Sequence, residues 1–312
     1  MGNQCKSESE SGHAPVEVMR SVPEAESSAL VRTNRKLGWK PDLPDFRDRI
    51  LAWGPEHYLD LPEKKDLRPQ EHFNIYDQGK LGSCTANAVG AAFHFDQVKQ
   101  GLQEFTPSRL FIYYNERDME GSVDQDAGAM LRDGIKCLQT NGVCSESTWP
   151  YDENKFAERP SEESYEEAKS NRCMEYAKVE HTLDDMKACI KSGFPFVFGF
   201  SVYESFMTGQ VKETGIMRMP QYFEPQIGGH AVMAVGYDDR KRWFIIRNSW
   251  GEEWGDNGYF YMPYTYISNT DLTRDFWACN FVEGQEFPTK TMRFTKEPAV
   301  APAVAVPLKI EQ

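Results

Sequence analysis

The strongest constraint on this chain is a change of apolar rhythm part-way along it. Up to about Gly193 large side chains recur at helical spacing; beyond it they form short unbroken runs. Gly82 to Lys99 carries Ala86, Val89, Ala92, Phe93, Phe95 and Val98 on one repeat, with Gly101 as the stop. Thr106-Pro107 predicts a second helix through Phe111 and Tyr114, with proline at its first position. A third is expected from about Asp126 to Gln139, closed by Asn141-Gly142, and Thr182 caps a short one ending at Gly193. The runs Phe194–Val202, His230–Tyr237, Trp243–Arg247, Gly258–Met262 and Phe276–Asn280 then read as strands. Helices first and strands later predict an α+β protein with segregated halves, not a doubly wound parallel sheet.

Hydrophobic residues make up 40% of the 312 and charged residues 27%, enough apolar material for a core. A net charge of −13 with no basic stripe argues against a nucleic-acid partner. No apolar stretch approaches the ~20 residues of a membrane-spanning helix. Residues 1–36, rich in Ser, Glu, Ala and Pro, predict a disordered polar tail. Residues 37–58 are Pro-interrupted, yet Trp39, Leu43 and Phe46 need a surface, so an extended docked segment is expected. The folded domain is placed at 59–283, and 284–312 reads as a low-complexity tail. Seven cysteines are too few for a disulfide scaffold, and the polar start has no apolar signal core, so reduced thiols and a cytoplasmic location are expected. Gly2 followed by Cys5 matches an N-myristoylation start with a second acyl site, although Lys6 stands where Ser or Thr is wanted. Two such chains would hold the protein at a membrane; an ordinary polar terminus is the alternative.

Chemistry concentrates in three places. In Asp77-Gln78-Gly79-Lys80-Leu81-Gly82-Ser83-Cys84 a cysteine opens a strong helix behind a glycine-containing loop. Free backbone N–H groups and the helix dipole there favour a thiolate, so a depressed thiol pKa is expected. Gly228-Gly229-His230 sets a histidine at the mouth of an apolar strand, where the plain reading is a hydrogen-bonded core residue. Arg247-Asn248-Ser249-Trp250 then ends the next strand, and adjacent strand ends bring Asn248 to the ring of His230. An amide oxygen on one imidazole nitrogen fixes the tautomer and aims the other nitrogen at a thiol. Cys137 and Cys144 lack zinc-ligand spacing and read as buried thiols; no metal or cofactor is implied.

These three motifs, in the order Cys, His, Asn, resemble the papain-like cysteine peptidases across roughly residues 60–283. His230 falls inside the ~130–150-residue window after the cysteine, and Asn248 a little beyond it. The resemblance implies a two-lobed fold, with a helical N-terminal lobe, an antiparallel barrel-like C-terminal lobe and a cleft between. It implies Cys84 as nucleophile, His230 as its partner, Asn248 as orienter, Trp250 as cover and Gln78 in the oxyanion hole. Gly82 and Ser83 would shape the nucleophile loop. The expected protein is a monomeric thiol endopeptidase acting on peptides or proteins, without cofactor. An acyltransferase or a silent peptide-binding relative are the alternatives. Leu81 and Thr85 replace the family's usual cysteine and aromatic beside the nucleophile, so the family disulfide cannot form there. The substrate-binding glycine pair is not evident, and Gly128 is the candidate for that edge. Fewer than 60 residues precede the domain, so residues 37–53 are expected along the cleft as a short pro-segment.

Overall fold

The computed structural model describes residues 35–280 and the two-residue strand Arg293–Phe294. Residues 1–34, which carry Gly2 and Cys5, and the rest of the 284–312 tail lie outside the described residues. Strands β1 (Trp39–Lys40), β2 (Leu51–Ala52) and β3 (Lys64–Asp66) precede helices α1 (Cys84–Gln100) and α2 (Arg109–Met119). Strand β4 (Ala129–Met130) leads into α3 (Leu131–Thr140), followed by α4 (Glu162–Ala168), β5 (Glu175–Lys178) and α5 (Leu183–Lys191). The chain continues through β6 (Phe196–Tyr203), α6 (Gly209–Thr214), β7 (Gln226–Asp238), β8 (Trp243–Arg247) and β9 (Tyr259–Pro263). Helix α7 (Tyr264–Ile267), β10 (Thr273–Asn280) and β11 (Arg293–Phe294) complete it, β11 pairing with β2.

The main sheet is antiparallel, in the order β5-β10-β6-β7-β8-β9, with β3 added along β7. Its centre is β6, whose phenylalanines at 196, 198 and 200 are fully buried and leave no polar face. That run needs cover on both sides, and α1 supplies one side by packing on β7. Small residues (Ala86, Ala88, Gly90, Ala91, Ala92) let α1 be enclosed from Cys84 to Gln97 between the sheet and helices α2 and α3. Phe198 stacks on Phe276 with centroids 5.1 Å apart and planes 3° off parallel. Phe198→Ala should cost about 3–5 kcal/mol in chemical denaturation. Phe46→Ala, whose ring is 99% exposed, should leave the midpoint unmoved.

Several expected boundaries shift for local reasons. Pro107 does not open α2: Ser108 does, its hydroxyl accepting the Phe111 N–H at 3.1 Å. The third helix starts at Leu131 and not Asp126, because Gly128 has φ +72° and Ala129–Met130 pair in parallel with β1. Polar β3, β5 and α4 carry no apolar rhythm and were not expected. Among the large apolar groups of the 37–58 segment, Trp39 is buried while Leu43 and Phe46 face solvent. The segment is pinned there by polar atoms: the Leu43 carbonyl accepts from Arg132 Nη1 at 2.6 Å, and Asp48 pairs with Arg132. The polar tail also ends earlier than residue 36, since Arg35 and Lys36 are already docked.

Candidate active site

Cys84 is the first residue of α1, and Ser83 before it makes no side-chain cap, so the helix N-terminus stays open to other acceptors. The thiol is fully buried, and the backbone N–H groups of Ala231, Gly38 and Thr85 act in favour of its thiolate. Ala231 adjoins His230, which β7 carries opposite Phe200 of β6. Strand β8 runs antiparallel to β7, pairing Arg247 with Met233, and ends just before Asn248. The strand ends therefore converge, and His230 Nε2 lies 2.8 Å from Asn248 Oδ1. The same oxygen accepts the Ser249 N–H at 2.9 Å. An oxygen accepting from both sides assigns the proton to Nε2, leaving Nδ1 with a lone pair. Nδ1 is buried and has no hydrogen-bond partner among the described residues. Trp250 is buried and lies against the imidazole, centroids 4.9 Å apart.

Gln78 is fixed from both ends of its amide. Its Oε1 accepts from Ser249 Oγ at 2.8 Å and from Trp250 Nε1 at 3.2 Å. Its Nε2 therefore faces the other way, donating to the carbonyls of Leu81 (2.9 Å) and Lys36 (3.0 Å). Gly82 donates its N–H to Asp126 Oδ1 at 2.9 Å, and Ser83 Oγ meets Tyr151 OH at 2.5 Å. Three contributors carry no sequence signal. Ser249 links the glutamine to the Asn248–His230 pair. Arg109 holds the 77–83 loop by donating to the Asp77 carbonyl (3.1 Å) and Asn87 Oδ1 (3.0 Å), itself paired with Glu146. Thr85, in the place of an aromatic, donates to the buried Glu116 carboxyl at 2.6 Å.

The Lys36 carbonyl belongs to an N-terminal strap, residues 35–42, that fills the cleft. Arg35 pairs with Asp77 and donates to the Trp250 carbonyl at 3.0 Å. Lys36 pairs with Asp126 at 2.7 Å and Lys40 with Glu120 at 2.8 Å. Gly38 passes so close to the backbone just before Cys84 that a methyl on it would lie 1.8 Å from the Gly82 carbonyl oxygen. Its own carbonyl accepts from Ala129 N at 2.8 Å, so the edge beside Gly128 is taken by the parallel β1–β4 pair. The Trp39 indole lies on Gly199 and Gly229, which leave it room by having no side chains.

This cover reverses the expected thiol chemistry. Burial pushes Cys84 up to about 11 and outweighs the N–H groups around it. Burial likewise pulls His230 down to about 4, with Asn248 opposing and the Arg35 charge assisting. In this strapped form burial favours the neutral thiol and the neutral imidazole. Helix position favours the thiolate, but exclusion of water wins while the strap is docked.

Against known proteins, residues 61–276 match the model of the papain family cysteine proteases. The chain is 43% identical over 268 residues to an uncharacterised peptidase C1-like protein of Acanthamoeba polyphaga mimivirus, covering 78% of this chain and 86% of that one. The chain belongs to the papain family of cysteine proteases. A cathepsin B-like protein of Giardia intestinalis is 31% identical over 216 residues, 65% of this chain and 69% of its own. Among solved structures, xylellain, a cysteine protease from Xylella fastidiosa, superposes with a TM-score of 0.76 at 45% identity. That match spans 81% of this chain and 98% of xylellain. Procathepsin B of Trypanosoma congolense, at 18% identity and a TM-score of 0.63, agrees in fold.

Proposed function

We propose that this papain-family protease is an endopeptidase using Cys84 and His230, held latent in the strapped form. The observation that carries the reading is the imidazole: Asn248 holds Nε2 and leaves the buried Nδ1 without a hydrogen-bond partner among the described residues. With the strap lifted and water admitted, the Cys84 proton moves to Nδ1, giving a thiolate–imidazolium pair. The sulfur attacks the scissile carbonyl carbon, and its oxyanion takes the Gln78 Nε2–H now bound to the Lys36 carbonyl, together with the Cys84 N–H. Imidazolium gives its proton to the departing amine, leaving a thioester. Water, deprotonated by His230, then attacks the thioester and releases the acid and the free thiol. Endopeptidase action is supported by the strap itself, which enters beside Asp77 and Trp250 and leaves beside Glu120, so both ends of the cleft admit chain.

The test is turnover of an internal peptide bond by the full chain and by a strap-loosened form. Product analysis separates hydrolysis from transfer to an added amine, and Cys84→Ala should abolish both. A methyl at position 199 would lie 1.9 Å from the Trp39 indole. Gly199→Ala should therefore loosen the strap and raise turnover at least tenfold, while the thermal midpoint moves little. Unchanged turnover would mean that Trp39 does not hold the strap in place.

A further inference from the structure

The strap ends at a pair of carboxyl groups that, among the described residues, form no ion pair. On β10 the register shifts between Arg274 and Trp277, and Asp275 inside the shift has φ +60°. A non-glycine residue in that region is held there by its surroundings, and the bulge turns its carboxylate towards the strap. Asp275 Oδ2 accepts from the Asp42 backbone N–H at 2.8 Å and from Trp39 Nε1 at 3.2 Å. The Asp42 carboxyl faces back into the same spot, accepting from Trp277 Nε1 at 2.9 Å and from Arg132 N at 3.2 Å. The charged groups around the pair are engaged elsewhere. Arg132 of α3 and Lys178 of β5 both pair with Asp48, at 2.6 and 2.9 Å, and Lys40 pairs with Glu120. Arg274 donates to the Thr270 carbonyl. Among the described residues neither Asp42 nor Asp275 has an ion-pair partner within 4 Å.

We propose that Asp42 and Asp275 form a proton-binding latch that keeps the strap docked in acid and lets it go as the medium becomes neutral. The proposal rests on the strap reading given under Proposed function. Two carboxylates facing one half-buried site cannot both stay ionised cheaply; a proton on one of them removes the repulsion. Burial, followed by the Asp275 charge, lifts Asp42 to about 7, and burial lifts Asp275 as well. The indole and backbone N–H donors and Arg132 act in the opposite direction and are outweighed. The sign follows directly. The docked Asp42 keeps a proton that a free strap, with an ordinary aspartate near ~3.9, would lose. Docking is therefore fully favoured below about pH 4, weakens by up to tenfold per pH unit between there and about pH 7, and changes no further above.

The experiment compares the full chain with Asp42→Asn from about pH 5 to about pH 8. Asparagine keeps the shape of a protonated aspartate and needs no proton. Two readouts are taken as wild-type/variant ratios, which cancel the pH dependence of the reagents: trypsin cleavage in the strap at Arg35 and Lys36, and iodoacetamide labelling of Cys84. Both ratios should rise tenfold or more across that range. A flat trypsin ratio, or a variant cut faster than wild type at the upper end, overturns the latch. A trypsin ratio that rises while Cys84 labelling stays flat leaves the latch standing and overturns the strap as the cleft's block. Asp275→Asn should reproduce the result and serves if the first variant does not fold.

Discussion

Trp39→Ala in the full chain should raise the rate of Cys84 alkylation about a hundredfold or more. The indole is 9% exposed and its N–H is bonded to Asp275, so it is the strap's main apolar anchor. Truncating a buried tryptophan costs about 3–5 kcal/mol. Here that loss falls on docking, and ~1.4 kcal/mol is tenfold in an equilibrium. The ionic anchors matter less: Lys36–Asp126 and Lys40–Glu120 have lysines 49% and 37% exposed, and exposed pairs contribute at most about 1 kcal/mol. As the strap leaves, water reaches Cys84 and His230, and the causes holding the thiol near 11 and the imidazole near 4 disappear. Alkylation timed by mass spectrometry checks this; equal rates in the two proteins would show that the strap does not restrain the thiol.

In the Trp39→Ala background, Gln78→Ala should lower amide hydrolysis by about 10²–10³-fold, the cost of losing one preorganised oxyanion donor of ~2.7–4 kcal/mol. Alkylation of Cys84 by iodoacetamide builds no oxyanion, so its rate should fall by only a few-fold. That divergence separates an oxyanion donor from a merely structural glutamine. Gln78 is wired to Ser249 and Trp250 through Oε1, and a structural role would depress both rates together by disturbing the Asn248–His230 pair. In the otherwise unaltered chain the same substitution removes the Lys36 carbonyl's partner, so alkylation there should rise slightly.

What could be read from residue order was the chemistry that local rules impose. A cysteine opening an alanine-rich helix and a histidine and asparagine at neighbouring strand ends follow from periodicity and strand pairing. Gly101 does stop α1, in the left-handed region, and Thr182 does cap α5 by accepting from Asp185 N. The rest depends on partners distant in sequence. Ser249 and Arg109 look like ordinary polar residues until the fold sets them against Gln78 and Asp77. The Thr85–Glu116 contact gives the exchanged aromatic position a buried polar bond that spacing cannot announce. Arg35 and Lys36 lie in a stretch with no apolar rhythm, and each is recruited by a carboxylate at least forty positions away. Leu43 and Phe46 do not anchor that segment: Trp39, Leu51 and Trp53 are its buried apolar groups, and a backbone carbonyl and Asp48 fasten the turn between them. The raised thiol is the sharpest departure, since helix position is visible in sequence and burial by a distant strap is not.

The central claim is that Cys84 is the nucleophile of a cleft the strap closes, and adduct mapping tests it most directly. The full chain, Trp39→Ala and Cys84→Ala are exposed near neutral pH to an epoxide-type thiol inhibitor, and every cysteine is read by peptide mass spectrometry. The account predicts slow labelling of the full chain, fast labelling of Trp39→Ala confined to Cys84, and none of comparable rate in Cys84→Ala. Cys84 reacting no faster than the buried Cys137, Cys144, Cys173 and Cys189 in both the full chain and Trp39→Ala would contradict it.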